Sequence, residues 1–205
     1  MASERKAREH SLKTRKAILD AAEKIMREEG YAAVSSRRIA ETAGLKSQLV
    51  YYHFGVMDDL FLALFQREEE RFFVEHARAM SAPNPLRALW RLSLDPPTTR
   101  LTQEFVGLAN ERTSIRKEIA RSKQRFRSLQ TTFVARMLES LGVGDASELS
   151  HVLPFVVVAV SSALVSEKGL GISDGHAAVL AYFDKKLSAL DAEAFPAEAR
   201  SLASH

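Results

Sequence analysis

The twenty residues from Ser35 to Phe54, SSRRIAETAGLKSQLVYYHF, constrain this chain more than any other stretch. They predict two short helices meeting at a glycine corner. Ser35 or Ser36 can cap the first helix, because a serine hydroxyl satisfies backbone N–H groups that lack a partner in the opening turn. Ile39, Ala40 and Ala43 give that helix an apolar stripe, and Gly44 permits the left-handed backbone that a tight corner needs. The second helix opens at Leu45. At 100° per residue Val50 and Phe54 share one face, with Leu49 at its edge, while Ser47, Gln48, Tyr51 and Tyr52 lie opposite. A face of amide, hydroxyl and phenol groups without charge suits the floor of a DNA major groove. Base edges there offer hydrogen bonds, and thymine methyls offer apolar contact.

These residues resemble the DNA-binding segment of the TetR-type transcriptional regulators, which runs helix, glycine turn, and a recognition helix ending in Tyr-Tyr-His-Phe or a close variant. The resemblance is carried by Ile39-Ala40-Glu41-Thr42-Ala43-Gly44-Leu45 and Tyr51-Tyr52-His53-Phe54, with Tyr31 and Val34 upstream. It covers roughly residues 12 to 65. Three places depart from the family pattern: Lys46 stands where a capping Ser or Thr is frequent, Gln48 where Gly is frequent, and Met57-Asp58 where a phosphate-binding Lys often opens the next helix. The resemblance implies a repressor acting as a homodimer through helices eight and nine on an inverted-repeat operator in double-stranded DNA. It also implies release by a small hydrophobic effector. An activator of the same fold and a non-specific architectural DNA-binding protein are the alternatives. The expected DNA-contacting residues are Ser36, Arg37, Lys46, Ser47, Gln48, Tyr51, Tyr52 and His53.

Charge follows the same division. Of the net +3, residues 1–56 contribute +4 and the remaining 149 residues −1. Arg5, Lys6, Arg8, Lys13, Arg15 and Lys16 cluster early, against only Glu4 and Glu9. This reads as a solvated, disordered arm ahead of the first helix, able to neutralise phosphates without reading bases. With the absence of cysteine and a charged, signal-free N-terminus, the sequence predicts a cytoplasmic protein.

The rest of the chain predicts an all-α fold of about nine helices, with a DNA-binding domain at 1–56 and a ligand-binding and dimerisation domain at 57–205. Ile18, Ala21, Ala22, Ile25 and Met26 mark a first helix from Thr14 to Glu29. A fourth runs from Met57 to Met80 without a breaker, joining the DNA reader to the C-terminal helices. A fifth is expected from Pro85 to Leu94 with Asn84 as its cap, a sixth from Thr99 to Glu111, and a seventh capped by Ser114. The eighth, Ser147 to Lys168, is apolar around nearly its whole circumference and so must be covered on more than one side, by the subunit core or by a second copy. Its longest apolar run, Val152 to Val165, is shorter than a membrane span requires. A ninth helix comes after Ser173-Asp174, and the tail after Asp191 reads as loose.

Nothing in the sequence asks for catalysis. The six histidines form no metal-ligand spacing, Gly169-Leu170-Gly171 lacks the strand and further glycine of a dinucleotide loop, and no serine lies in a nucleophile motif. No cofactor or metal is expected, and Glu167-Lys168 reads as a solvated pair. The candidate ligand-binding residues are Trp90, Phe105, Asn110, Phe126, Phe133 and Phe155, expected to surround a common interior bordered by Gly107. Aromatic walls with few polar anchors favour an apolar or planar compound over a sugar or nucleotide.

Overall fold

The computed structural model describes residues 1–195. Among them are nine α-helices and one 3-10 turn, with no strand. The helices are α1 (Ala2–Glu29), α2 (Ser36–Ala43), α3 (Ser47–Phe54), α4 (Met57–Met80), α5 (Pro85–Ser93), α6 (Pro96–Glu111), α7 (Thr113–Ser140), α8 (Ser147–Gly169) and α9 (His176–Ala194). The 3-10 turn is Tyr31–Ala33.

Three expectations about helix ends are corrected. The basic arm is not disordered: it forms the first three turns of α1. It contains no Gly or Pro, and Lys13 pairs with Glu9 one turn away at 2.8 Å, the spacing that supports an exposed helix. Asn84 precedes α5 but makes no side-chain cap bond. The cap comes instead from Asp191 of α9, whose carboxylate accepts the Leu86 and Arg87 backbone N–H groups at 2.9 and 3.0 Å. Asp191 is fully buried, and α9 continues past it to Ala194, so the tail expected to be loose after Asp191 begins as helix; from 196 on it lies outside the described residues. Ser114 does not cap α7, which already begins at Thr113; its hydroxyl donates to Asp58 at 2.9 Å.

The chain forms two compact units, with boundaries inside α4, α6 and α7. The first comprises Met1–Glu70 and Arg100–Arg121, and the second Arg71–Thr99 and the chain from Ser122. Compactness thus places residues 100–121 with the N-terminal helices, although the sequence suggests a division near residue 56. The reason is apolar. Leu101, Phe105, Leu108, Ile115 and Ile119 are buried in one core with Ile18, Ile25 and Met26 of α1, Ile39 of α2, Val50 and Phe54 of α3, and Leu60, Phe61 and Leu64 of α4. Arg67 of α4 adds polar ties to α1, donating to Asp20 and Glu23 at 2.7 Å each and to the Leu19 carbonyl at 3.0 Å.

The second unit has a smaller continuous core of Leu86, Met137, Leu138, Ala146 and Ala194. Trp90 is buried and stacks on Phe183 of α9, with ring centroids 4.6 Å apart. A separate aromatic cluster joins Phe72, Phe73 and His76 of α4 to Phe126 of α7. His76 Nδ1 is 2.8 Å from the Phe72 carbonyl, and burial pushes the imidazole below its ordinary titration range. Glu167 is not merely solvated: its carboxylate lies 2.7 Å from Nε2 of the buried His176, joining the end of α8 to the start of α9.

Candidate nucleic-acid interface

The recognition helix is positioned by its own sequence. The Ser35 hydroxyl accepts the Arg38 N–H at 3.3 Å and starts α2, which ends where Gly44 takes φ 66° and ψ 34°. That left-handed corner is cheap only for glycine. Lys46 precedes α3 without a side-chain cap, so α3 begins at Ser47, two residues later than Leu45. Val50 and Phe54 anchor the helix in the first core, and the guanidinium of Arg15 lies over the Phe54 ring at 4.8 Å.

Burying Val50 and Phe54 turns the opposite face outward. Ser47, Gln48, Tyr51 and Tyr52 are all exposed, Tyr52 to 79%. Tyr51 is held while exposed, because Ser36 Oγ donates to its hydroxyl at 3.1 Å, linking α2 to α3 across the corner. Tyr52 makes an edge contact with His53, centroids 5.1 Å apart. His53 is partly buried, and burial, with the charges of Arg15 and His10 behind it, lowers its proton affinity. The lowered proton affinity favours the neutral imidazole, which presents a hydrogen-bonding edge instead of a charge.

The arginines at the start of α2 divide by role. Arg38 is committed to Glu29 at 2.8 Å and Glu41 at 3.3 Å. Arg37 is exposed and makes no ion pair among the described residues. Lys46 is exposed in the corner between α2 and α3. All eight residues expected to contact DNA thus lie on α2, the corner or α3.

The sequence does not reveal what holds this element from the other side. The Tyr31 backbone N–H donates to Glu104 at 2.8 Å and its hydroxyl to Glu111 at 2.8 Å. Asp58, in the first turn of α4, pairs with Arg112 as well as accepting from Ser114. Gly107, expected to border a cavity, faces the Tyr31 ring: a Cβ there would lie 2.8 Å from a ring carbon. These partners are 54 to 80 residues apart in sequence, beyond any local pattern.

The six candidate ligand residues are not brought to one interior. Phe105 is buried in the first core against Phe65, and Asn110 is exposed. Trp90 packs on Phe183, Phe126 joins the His76 cluster, and Phe133 lies against the small second core. Phe155 is 59% exposed beneath the Arg127 guanidinium. No group of three or more metal-ligating side chains is found among the described residues.

A polar, aromatic recognition face on the second helix of a helix-turn-helix, beside a cation-rich first helix, defines a class: the helix-turn-helix DNA-binding transcriptional regulators. Residues 18–64 match the family model described as bacterial regulatory proteins, tetR family, so the protein carries a TetR-family domain there. Solved structures carry the same fold. A TetR-family transcriptional regulator from Rhodococcus sp. is similar with a TM-score of 0.61 at 18% identity, covering 88% of this chain and 97% of that one. A TetR transcription regulator from Haloarcula marismortui gives 0.63 at 20% identity over 76% and 88%. The multidrug binding protein EbrR, complexed with imidazole, gives 0.55 at 21% identity over 86% and 93%. No curated protein matches the sequence significantly.

Proposed function

We propose that this protein is a homodimeric repressor that covers an inverted-repeat operator and leaves it when a small, largely apolar effector binds the second unit. The observation that carries the reading is the recognition face: four exposed, uncharged polar or aromatic side chains on a helix fixed from behind by Val50 and Phe54. Ser36, Arg37 and Lys46 flank it as phosphate contacts, and the cations of α1 add a sequence-independent attraction. In this reading residues 1–56 are the DNA-binding part and 57–205 serve dimerisation and effector binding.

Dimerisation is supported by α8. Leu149, Val152, Val156, Ala159 and Ala163 are exposed and fall within about 80° of one another around the helix. On α9, Ala178, Ala181, Tyr182, Lys185 and Ala189 form a comparable exposed face, in which the three alanines leave room for a facing helix. At 23 residues, with a mean hydropathy of 1.9 over its most apolar 18, α8 is by length and composition able to cross a membrane, although its longest apolar run is shorter than a span. We assign its exposed stripe to a second subunit instead of lipid, because Ser150 and Ser161 lie on its buried side and the exposed face of α9 carries Lys185. A two-fold dimer would set recognition helices about 34–36 Å apart, one turn of duplex. An effector favouring a different spacing would lower operator affinity through α4, unbroken from Met57 to Met80. EbrR, which shares the fold, is a multidrug binding protein seen with imidazole, and that supports a small-molecule effector here.

Selecting fragments of genomic DNA with the purified protein tests the reading. The expected product is an inverted repeat that the protein silences when placed across a promoter in transcription in vitro. Single, non-repeated sites would exclude the dimeric reader, increased transcription would make the protein an activator, and equal capture of all fragments would make it an architectural binder.

A further inference from the structure

Between α7 and α8 of the second unit lies an open groove of about 570 Å³, within the size range of sites for small organic ligands. Its lining includes Lys123, Gln124, Arg127 and Thr131 from α7 and His151 and Phe155 from α8. No acidic residue lines it. Arg127 makes no ion pair or hydrogen bond among the described residues, and its Nη1 is buried without a partner. Its guanidinium sits 3.5 Å from the centre of the Phe155 ring. Partial burial also pulls the guanidinium below its ordinary proton affinity, although arginine remains charged.

A partly buried cation with one shielded, unused donor is an arrangement that an anion relieves. Guanidinium offers a planar fork matched to carboxylate, and the stacked phenyl ring supplies an apolar wall beside it. The neighbouring groups agree with that polarity. His151 Nδ1 is engaged with the Ser147 carbonyl at 2.8 Å, Gln124 offers an amide, and Thr131 a hydroxyl. The Phe155 ring gives half of the site an apolar wall, which suits a carboxylate carried on an apolar body better than a strongly hydrated phosphate dianion. Around the α8 axis, Phe155 and His151 lie roughly 80° and 120° from the centre of the exposed Leu149-to-Ala163 stripe, so a dimer seam there leaves the groove open.

We propose that the groove between α7 and α8 binds a monocarboxylate carried on a planar or acyl apolar body, with Arg127 holding the carboxylate and Phe155 the body. This deepens the effector reading above and rests on it only for the consequence to DNA. It also changes the effector's expected chemistry, from an apolar compound with few anchors to an amphipathic acid.

The test titrates DNA-free wild-type protein with 2-naphthoate and octanoate against their neutral amides, 2-naphthamide and octanamide, by calorimetry. At least one acid should bind at least tenfold more tightly than its amide. Arg127→Met should erase that preference, Arg127→Lys should restore part of it, and Phe155→Ala should weaken both members of a pair. Sedimentation and circular dichroism establish that each variant is folded and assembled as wild type. Equal affinity for acid and amide, or no binding of either acid, overturns the proposal from the wild-type data alone. Undiminished acid binding by folded Arg127→Met, or a variant that dissociates the protein while keeping acid binding, overturns it as well and returns Arg127 to a role between subunits. Operator affinity is measured separately with and without the acid. Tight acid binding that leaves operator affinity unchanged upholds the site and removes the induction reading, whereas DNA release by the amides alone removes the site and keeps induction.

Discussion

The two compact units handle apolar surface in opposite ways. In the first, α1, α2, α3 and the opening turns of α4 close with α6 and the start of α7 around Ile18, Ile25, Ile39, Val50, Leu60, Leu108 and Ile115, all essentially without solvent contact. What stays outside is polar or aromatic and suited to DNA. In the second, the most apolar 18 residues of α8 have a mean hydropathy of 1.9 yet are 22% buried, and the unit's continuous core is small. The first unit completes its burial within one chain, while the second keeps apolar area for something else. At about 25 cal/mol per Å² such area is a substantial unused driving force for association.

The sharpest way to break that contrast is to charge the exposed stripe. Val156→Asp should convert a dimer to monomer in sedimentation, at a cost of about 3–5 kcal/mol for an unpaired charge at a packed interface. Operator binding should fall with it, while the first unit's helices remain intact by circular dichroism. A Val156→Asp protein that stays dimeric would mean the stripe is covered by something other than a second copy.

Next in size is the polar keystone of the second unit. Asp191→Ala leaves the Leu86 and Arg87 N–H groups without their acceptor in a buried setting, and should destabilise the protein by about 2–4 kcal/mol in urea unfolding. Asp191→Asn, which keeps an acceptor, should lose less. Equal stability of Asp191→Ala and wild type would show that another group caps α5.

Smaller effects are expected on the reading face, where the first unit's packing is left alone. Gln48→Ala should weaken specific binding by about 1–3 kcal/mol and relax preference at one base position, measured by competition with single-base operator variants. Tyr51→Phe removes only the hydroxyl that Ser36 holds, and should cost less. Neutralising Arg5, Lys6 and Arg8 together should instead weaken operator and random DNA alike and flatten the salt dependence.

The smallest effect is on pH. His76 is pushed below its ordinary titration range mainly by burial, so the unfolded chain binds its proton more readily than the folded one. Its neutral form therefore supports the fold fully above about pH 6.5, and that support declines as pH falls below this ordinary value. His76→Leu should reduce the loss of stability between neutral and mildly acidic pH, read as a shallower slope of melting temperature against pH. An unchanged slope would place the acid sensitivity elsewhere.

The first unit's reader is legible in the sequence because its determinants are local. Ser35, Gly44, Val50 and Phe54 act within a few residues of where they stand, and period and cap chemistry find them. The same logic places α4 and the long apolar α8. It fails where an element is completed from afar. Asn84 has the chemistry of a cap, yet Asp191 takes the role from more than a hundred residues away. Phe105 and Asn110 sit in a helix that looks like part of the C-terminal half, yet its apolar face joins the N-terminal core. The arm misleads for a different reason: charge density suggests disorder, but Ala2–Lys13 holds strong helix formers with no breaker. Arg127 carries no pattern that distinguishes it from the other cations of α7, and only its burial and its position over Phe155 single it out.

The contact between Gly107 and Tyr31 has a consequence for descent. The Tyr31 ring is fixed at both ends, by its backbone N–H on Glu104 and its hydroxyl on Glu111, so it has little room to yield to a Cβ at 2.8 Å. Positions 31 and 107 must then covary. A relative that keeps this tyrosine should keep glycine opposite it, and one that admits alanine or a larger residue at the second position should have exchanged the aromatic ring for a smaller side chain. Drift at position 107 alone is closed off, so the pair can change only by passing through a small residue at position 31.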